Sequence, residues 1–459
     1  MNIYKNNLGY VPARIWTSGL GLMLMEAFRR GLSLEVCPAK TTRGFLVRVS
    51  DGDKTYEFSG ATAPITDSSA SLLCRDKQAT KDLLREHGIA VPKGVVIESA
   101  WGRSKILEHT KSLGYPLVLK PVDGIKGASV YTDITEESVL LNRIAEVAAS
   151  AEITRWVVEE QIEGDEYRVL VVRGQLVSAI QRLRASVVGD GRRSIKKLVK
   201  GYNKERKNNP HFRKKPVRTG IHMDGVLSAQ GIRIDDVPPP GVSVRLTGPA
   251  NFAVGGGCRE CTDSLPSKLR EDSIAAVNAI PSLFHAGLDV ILTASGEPVV
   301  LEINHNPDLG AHHFPTEGNG CDVASLIIDQ HFPGSGDAGR HNVFFRMKEL
   351  RALVTSGCAD SVSLPRVAPD TESVRISIGA LPERRDIVGR IVRIARSLNV
   401  HGSVRKLGSE GIEIVAAAAP YVLGQFESLL RNELLDLPEG CVEVGEWTYP
   451  VYFGFELVA

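Results

Sequence analysis

The sequence predicts an α+β protein of several domains, and three observations carry that expectation. Short β-rich runs alternate with helices from Tyr115 onward, an acidic hairpin signature spans residues 288–307, and a β-α-β-β-α-β order closes the chain. The length of 459 residues suggests two to four domains. Hydrophobic residues make up 43% and charged residues 24%, the usual balance of a soluble globular chain. Lys+Arg total 55 against 54 Asp+Glu, so no global charge argues for nucleic acid or for a membrane surface. No apolar run reaches the ~18 residues of a membrane span, and residues 1–16 lack a signal peptide's apolar stretch. The seven cysteines are read as free thiols of a cytoplasmic protein. Cys258 and Cys261 have CxxC spacing, but no second pair accompanies them, which argues against zinc.

Residues 1–75 combine a helix around Gly19–Arg30 with strands near Ser33–Val36 and Gly44–Val49, and Asp51-Gly-Asp53 is a hairpin signal. They are expected to form a small α/β domain. The next domain, 76–335, opens on a helix near Asp76 that Gly88 and Pro92 end. A basic stretch, Asn203–Arg218, interrupts the later strands. It reads as a solvated loop or helix face, with closure over an anionic ligand as the other option. Residues 336–371 are expected to be linker and connecting helix. Residues 372–459 follow β-α-β-β-α-β, the order of a ferredoxin-like sandwich.

The segment from Leu288 to Pro307 is the most informative. Ser295-Gly296 between two apolar runs reads as a two-residue hairpin turn. That turn places Asp289 opposite Glu302, and period-two alternation puts Asn304 on the face of Glu302. Val299, Leu301 and Ile303 would then face the core. Three oxygen donors on one surface suit a hard cation such as Mg²⁺. A one-sided solvated hairpin is the plain alternative, and another turn length would shift the register.

Upstream, Leu117–Val130 carries Lys120 at the end of an apolar strand, followed by a loop with Gly124, Gly127 and Ser129. Such loops bring backbone N–H groups to phosphate oxygens, and Lys120 supplies a point charge. The GKS/GKT ending of a Walker A loop is absent. Within Val157–Val171, backbone groups of Gln161 and Ile162 could read an adenine edge, and Glu166 could accept from ribose hydroxyls. An acidic surface loop is the bland reading of that stretch.

In this order the segments resemble the ATP-grasp superfamily, over roughly residues 70–330. The run Glu166-Tyr-Arg168, the run Val187–Gly191 followed by Ser194-Ile195, and Ala250–Gly257 are similar to the ATP-grasp part of cyanophycin synthetases and of glutathione synthetase fusions. The resemblance implies two α+β subdomains that grip ATP between antiparallel sheets. It assigns Lys81 and Lys120 to the phosphates, with Gly127 and Ser129 in the phosphate loop. Glu159, Gln161 and Ile162 fall to the adenine pocket, Glu166 to ribose. Asp289, Glu302 and Asn304 are assigned to magnesium, expected as two ions that manganese can replace. Arg182 and Arg245 match basic positions near an acyl-phosphate, and Asn251, Gly255 and Gly256 a substrate-pocket loop. The implied activity is ATP-dependent ligation of an amino-acid or small-peptide carboxylate to an amine. Small molecules are then the expected partners, with homodimer formation an open possibility.

Two departures bear on this reading. Cyanophycin synthetases carry a Mur-ligase-like second ATPase domain that this sequence does not contain, so a single ligation such as dipeptide formation is expected. Cys258 stands where small hydroxyl residues are usual. The last domain looks like an acylphosphatase-type sandwich, on Ala395–Arg405 and Gly411–Ile414. Lys406 takes the position of that family's asparagine, and the loop Gly379–Asp386 departs from its phosphate loop. Both changes argue against hydrolysis and for a structural, dimerising or lid role. An acyl-phosphate hydrolase and a non-catalytic nucleotide-binding module are the competing functions.

Overall fold

The computed structural model describes residues 3–39, 45–122, 130–148, 153–248, 250–379, 387–408, 411–433 and 441–458. The chain forms two compact units: residues 1–64, 207–213 and 320–459 in one, and 65–206 and 214–319 in the other.

The first unit contains a four-stranded sheet and a five-stranded sheet. The helix Gly19–Arg29 and the strands Ser33–Pro38 and Phe45–Ser50 lie where the sequence puts them. The stretch expected as linker holds a helix, Met347–Thr355, and also a strand, Val362–Leu364, which pairs with Ser33–Pro38. The five-stranded sheet has the order Val442–Glu446, Glu372–Ile378, Ile412–Ala418, His401–Lys406, Phe455–Val458. The helices Ile387–Ser397 and Pro420–Glu433 close the two crossovers. Their apolar stripes bury Ile391, Ala395, Leu423 and Phe426 against Ile376, Ile414 and Ala416. The last strand, 455–458, runs parallel to His401–Lys406 and is an addition to the expected order.

The second unit is built on two antiparallel sheets. One has the order Gly94–Glu98, Arg155–Glu160, Leu117–Pro121, Tyr131–Ile134. Its apolar face, with Leu117, Leu119, Trp156 and Val158, packs on Ile106, Leu140 and Ile144 of two helices. The other has the order Gly257–Glu260, Gln175–Leu183, Asp165–Val172, His285–Leu292, Pro298–Asn304. Val169, Val171, Ala179, Leu288, Val290, Val300 and Ile303 face Leu269, Ala276 and Val277 of the helix Ser267–Asn278. Because side chains alternate along a strand, each sheet keeps a second face for polar residues. A helix over Lys77–Glu86 leads into this unit. Asp76 caps it, accepting from the amides of Gln78 and Ala79 at 3.0 Å.

Candidate functional site

The first polar cluster lies on the sheet of Lys120. Glu159 stands opposite both Gly94 and Val118. A Cβ on Gly94 would come within 2.9 Å of the Glu159 Cβ, so glycine is what lets the carboxylate sit there. Its two oxygens bind the ammonium groups of Lys81 and Lys120, one each. The Lys81 and Glu159 side chains are each only 4% exposed. Three charges therefore share a poorly solvated pocket with a net charge of +1. Burial pushes the Lys81 ammonium down to about 8, with Lys120 adding to the effect against the pull of Glu159. Burial also pushes the Glu159 carboxyl up, but Lys120 and Lys81 outweigh it and hold it below the usual carboxylate range. The sequence reading gave Glu159 to the adenine pocket. In the structure its carboxylate is the shared counter-ion of Lys81 and Lys120.

The second cluster lies on the other sheet. Arg168, Asp289 and Glu302 form one row across three neighbouring strands, through the pairs Arg168↔Asp289 and Asp289↔Glu302. Arg168 binds Asp289 through two nitrogens, with Nη2 to Oδ2 at 2.7 Å, and Arg182 Nη2 reaches Oδ1 at 2.9 Å. Burial pushes the Asp289 carboxyl up, but Arg168 and Arg182 outweigh it and bring it to about 2. Gly287 makes room for this, because a Cβ there would meet Pro307 at 2.9 Å and the Arg168 Cδ at 3.5 Å.

The opposition of Asp289 and Glu302 holds, but for another reason than expected. The turn is longer: Thr293 N–H donates to Glu297 O, Gly296 has φ +83°, and the pairs 290↔300, 291↔299 and 292↔298 are one residue out of the expected register. A bulge between Asp289↔Glu302 and Val290↔Val300 restores the register at the carboxylates. The bulge also corrects the core assignment. Of the expected Val299, Leu301 and Ile303, Ile303 joins the apolar core together with Val300, Val299 is buried, and Leu301 is only half-buried. Asn304 pairs with Gly287, two residues beyond Glu302 on the same strand. Two carboxylates and an amide oxygen on one ribbon fit a hard divalent cation by donor chemistry. A cleft lined by Lys77, Thr80, Lys81, Leu301 and Glu302 puts a lysine of the first cluster and a carboxylate of the second on common walls.

A family model of the RimK-like ATP-grasp domain matches residues 74–206 of this chain. That span includes Lys81, Glu159, Lys120 and Arg168 of the two clusters. The chain carries a RimK-like ATP-grasp domain. It is 31% identical over 327 residues to the cyanophycin synthetase of Trichormus variabilis, covering 68% of this chain and 34% of that protein. It is 26% identical over 342 residues to the glutathione biosynthesis bifunctional protein of Clostridium perfringens, covering 72% of this chain and 43% of that protein. A bifunctional glutathione synthetase structure from Pasteurella multocida aligns with a TM-score of 0.48 at 22% identity, over 63% of this chain and 40% of that one. The chain thus spans about a third of the length of the cyanophycin synthetases it matches.

The remaining expected residues of the ATP-grasp domain divide into two groups. Glu166 belongs with the second cluster. Burial raises its carboxyl pKa, Arg182 opposes the shift and Asp289 adds to it. The backbone N–H of Gln161 donates to Pro116 O at 2.9 Å, and its side-chain amide binds Asp133. That N–H is therefore already paired within the chain. Arg245 stands exposed on the short strand Ser243–Arg245, its backbone bonded to Gln230. Among the described residues its side chain makes no ion pair, so it does not join Arg182 at Asp289. The Asn251 side chain accepts from Ala253 N–H at 2.8 Å and caps a short turn. Gly255 adopts φ +103°, and a Cβ there would come within 2.3 Å of Val217. A Cβ on Gly256 would meet the Asn251 carbonyl at 2.8 Å. These three residues build the shape of the loop. Gly127 and Ser129 lie outside the described residues, as does the segment 380–386 of the C-terminal loop.

The CxxC pair separates in the structure. Cys258 Sγ points to Ala311 O on the polar side, while Cys261 packs with the apolar core on the other. Their spacing of three along extended chain sends them to opposite faces, which excludes a shared metal. Arg168 carries no assigned role in the sequence run Glu166-Tyr-Arg168. Its period-two relation to Glu166 on a strand was the signal that both share a face.

Proposed function

We propose that this protein is an ATP-dependent carboxylate–amine ligase that joins an amino-acid or small-peptide carboxylate to an amine and releases ADP and phosphate. The observation that carries the reading is the row Arg168–Asp289–Glu302 on the sheet that adjoins the Lys81–Glu159–Lys120 cluster, in a chain with a RimK-like ATP-grasp domain.

The chemistry needs a better electrophile than a carboxylate, because an anionic carbonyl with an oxide leaving group resists attack. Transfer of the ATP γ-phosphoryl to the carboxylate makes an acyl-phosphate, whose phosphate leaves when the amine attacks. Lys81 and Lys120 are suited to hold the phosphates, exchanging one shared carboxylate for several phosphoryl oxygens. Glu166 is suited to bind ribose, and the hinge at Gln161 and Ile162 to carry adenine. Asp289, Glu302 and Asn304 would hold divalent metal, magnesium as two ions or manganese in its place. Bound there, the metal would neutralise charge that builds on the transferred phosphoryl group. Arg182, tied to Asp289, is placed to stabilise the oxyanion that forms when the amine adds to the acyl carbon.

Incubation with ATP and pairs of amino acids is expected to release ADP and phosphate together with a product one water lighter than the sum of the pair. Glu302→Ala should reduce this release by roughly a hundredfold or more, with an unchanged far-UV circular dichroism spectrum. Phosphate release that persists in Glu302→Ala, or an acyl-phosphate hydrolysis activity that survives it, would instead support the C-terminal domain as the active part.

A further inference from the structure

The basic stretch Asn203–Arg218 reads as solvated in the sequence, yet part of it is folded onto the glycine loop Asn251–Gly256. The helix Ile195–Arg206 ends on a buried arginine. Arg206 donates from Nη2 to Gly256 O at 2.7 Å and from Nε to Lys215 O at 2.6 Å, with a longer contact from Nη2 to Phe252 O at 3.4 Å. One turn earlier on the same helix, the Tyr202 hydroxyl donates to Gly255 O at 2.9 Å. Val217 is buried against Gly255, and Asn203 brackets it through two hydrogen bonds, Nδ2 to Val217 O at 2.9 Å and Val217 N to Oδ1 at 3.0 Å. Inside the loop, Gly256 N–H donates back to Asn251 O at 2.9 Å. The carbonyl groups of a short loop are thus tied to two side chains of one helix.

The loop carries one aromatic ring, Phe252, and Arg182 lies over it, with the guanidinium carbon 5.1 Å from the ring centre. The Lys215 Nζ, ion-paired with Asp308, is 5.7 Å from the same centre. Past the loop the chain returns to the strand of Arg182, where Gly257 pairs with Leu183 and Cys258 with Arg182. A Cβ on Gly256 would meet Leu183 O at 2.9 Å, so loop and strand end are in close contact. Arg182 and Arg168 hold Asp289 differently. Arg168 takes both carboxylate oxygens, whereas Arg182 makes one hydrogen bond, from Nη2 to Oδ1 at 2.9 Å. A guanidinium on a single hydrogen bond can swing about it, and a ring face against the ion restricts that motion by cation–π attraction.

We propose that Phe252 is a positioning residue for Arg182: its ring, on a loop tied down by Arg206 and Tyr202, keeps the guanidinium in one orientation on Asp289. The inference rests on the ligase reading for the role of Arg182, which serves the reacting acyl group. Asp289 takes one of its five N–H donors, and a fixed orientation leaves the others ready for the oxyanion when the amine adds. Phe252 itself touches no reacting atom in this account. Arg206 and Tyr202 act one step further back, through the loop backbone.

The test is a double-mutant cycle of Phe252→Leu and Arg182→Met, run with the substrate pair that passes the phosphate-release screen. Phe252→Leu should lower kcat roughly ten- to hundredfold, the scale of a small misplacement at the reacting centre, with KM for ATP within about twofold. Phe252→Tyr keeps the ring and should recover most of kcat. In the Arg182→Met background, Phe252→Leu should lower kcat by no more than about twofold, because the group it acts through is gone. Tyr202→Phe removes one tether of the loop and should lower kcat in the same direction by a smaller factor. Where Phe252→Leu does not fold, Phe252→Met, unbranched and adaptable, takes its place. An unchanged kcat in the variant without the ring, or an equal fall with and without Arg182, would overturn the inference while leaving the ligase reading intact. If no amino-acid pair consumes ATP, the ligase reading fails by itself, and the cycle is read from urea denaturation midpoints. A Phe252→Leu shift reduced to about half or less in Arg182→Met upholds the hold of the ring on the guanidinium, and an undiminished shift rejects it.

Discussion

Glu159 and Asp289 each lie between two cations in the same unit, yet they do so under different conditions. Glu159 is sealed, and its partners are lysines on long flexible stems. Asp289 is 22% exposed, and its partners are arginines in fixed planar geometry. In the first cluster the response to crowding falls on both signs, since Lys81 is brought to about 8 and Glu159 is held below the usual carboxylate range. In the second it falls on the anion, since Asp289 is brought to about 2. A lysine can surrender its proton when short of counter-charge, and an arginine cannot. The difference teaches that the lysine cluster is tuned through groups that can lose a proton near neutral pH, while the arginine cluster keeps a carboxylate ionised down to about pH 2.

The largest effect that separates the two clusters is on stability. Glu159→Gln leaves two ammonium groups buried without a counter-ion and should cost about 3–5 kcal/mol in urea denaturation. Asp289→Asn keeps an amide oxygen for Arg168 and Arg182, which are 14% and 18% exposed, and should cost about 1–2 kcal/mol. A greater loss for Asp289→Asn than for Glu159→Gln would break the contrast. The pH dependence sharpens it. The Asp289 carboxyl is at about 2 when folded, against 3.8 as its ordinary value, so its contribution is complete above about 4 and is lost as pH falls toward 2. Lys81 is at about 8 when folded, against 10.5, so between these values the unfolded chain binds the additional proton and stability rises with pH. Denaturation series across both windows should show the acid loss diminished in Asp289→Asn and the alkaline rise diminished in Lys81→Met. The smallest effect concerns the turn that aligns Asp289. Gly296→Ala meets no atom within 4 Å but retains φ +83°, and should cost about 1 kcal/mol with ligase turnover within about twofold.

Much of the second unit was legible in the sequence because its signals are local. Asp76 before an amphipathic run, the apolar strand ending at Lys120 and the Glu302–Asn304 alternation each depend on neighbours within a few residues. The Asp289–Glu302 pairing was reached through a turn that the structure replaces with a longer one. It survived because the bulge near Leu301 offsets the extra residue, and a bulge leaves no mark in composition.

By itself the sequence determined the antiparallel runs, the oxygen donors of the hairpin, the two lysines and the β-α-β-β-α-β order, because periodicity and capping act over one or two turns of chain. Only the tertiary structure decided that Glu159 is a counter-ion for Lys81, which lies 78 residues away. It also decided that Arg168 and Arg182 converge on Asp289, and that Lys215 leaves a basic stretch to lie on Phe252. Charged side chains are brought together by the packing of elements remote in sequence, and the spacing of charges along a chain carries no record of which distant partner neutralises each one.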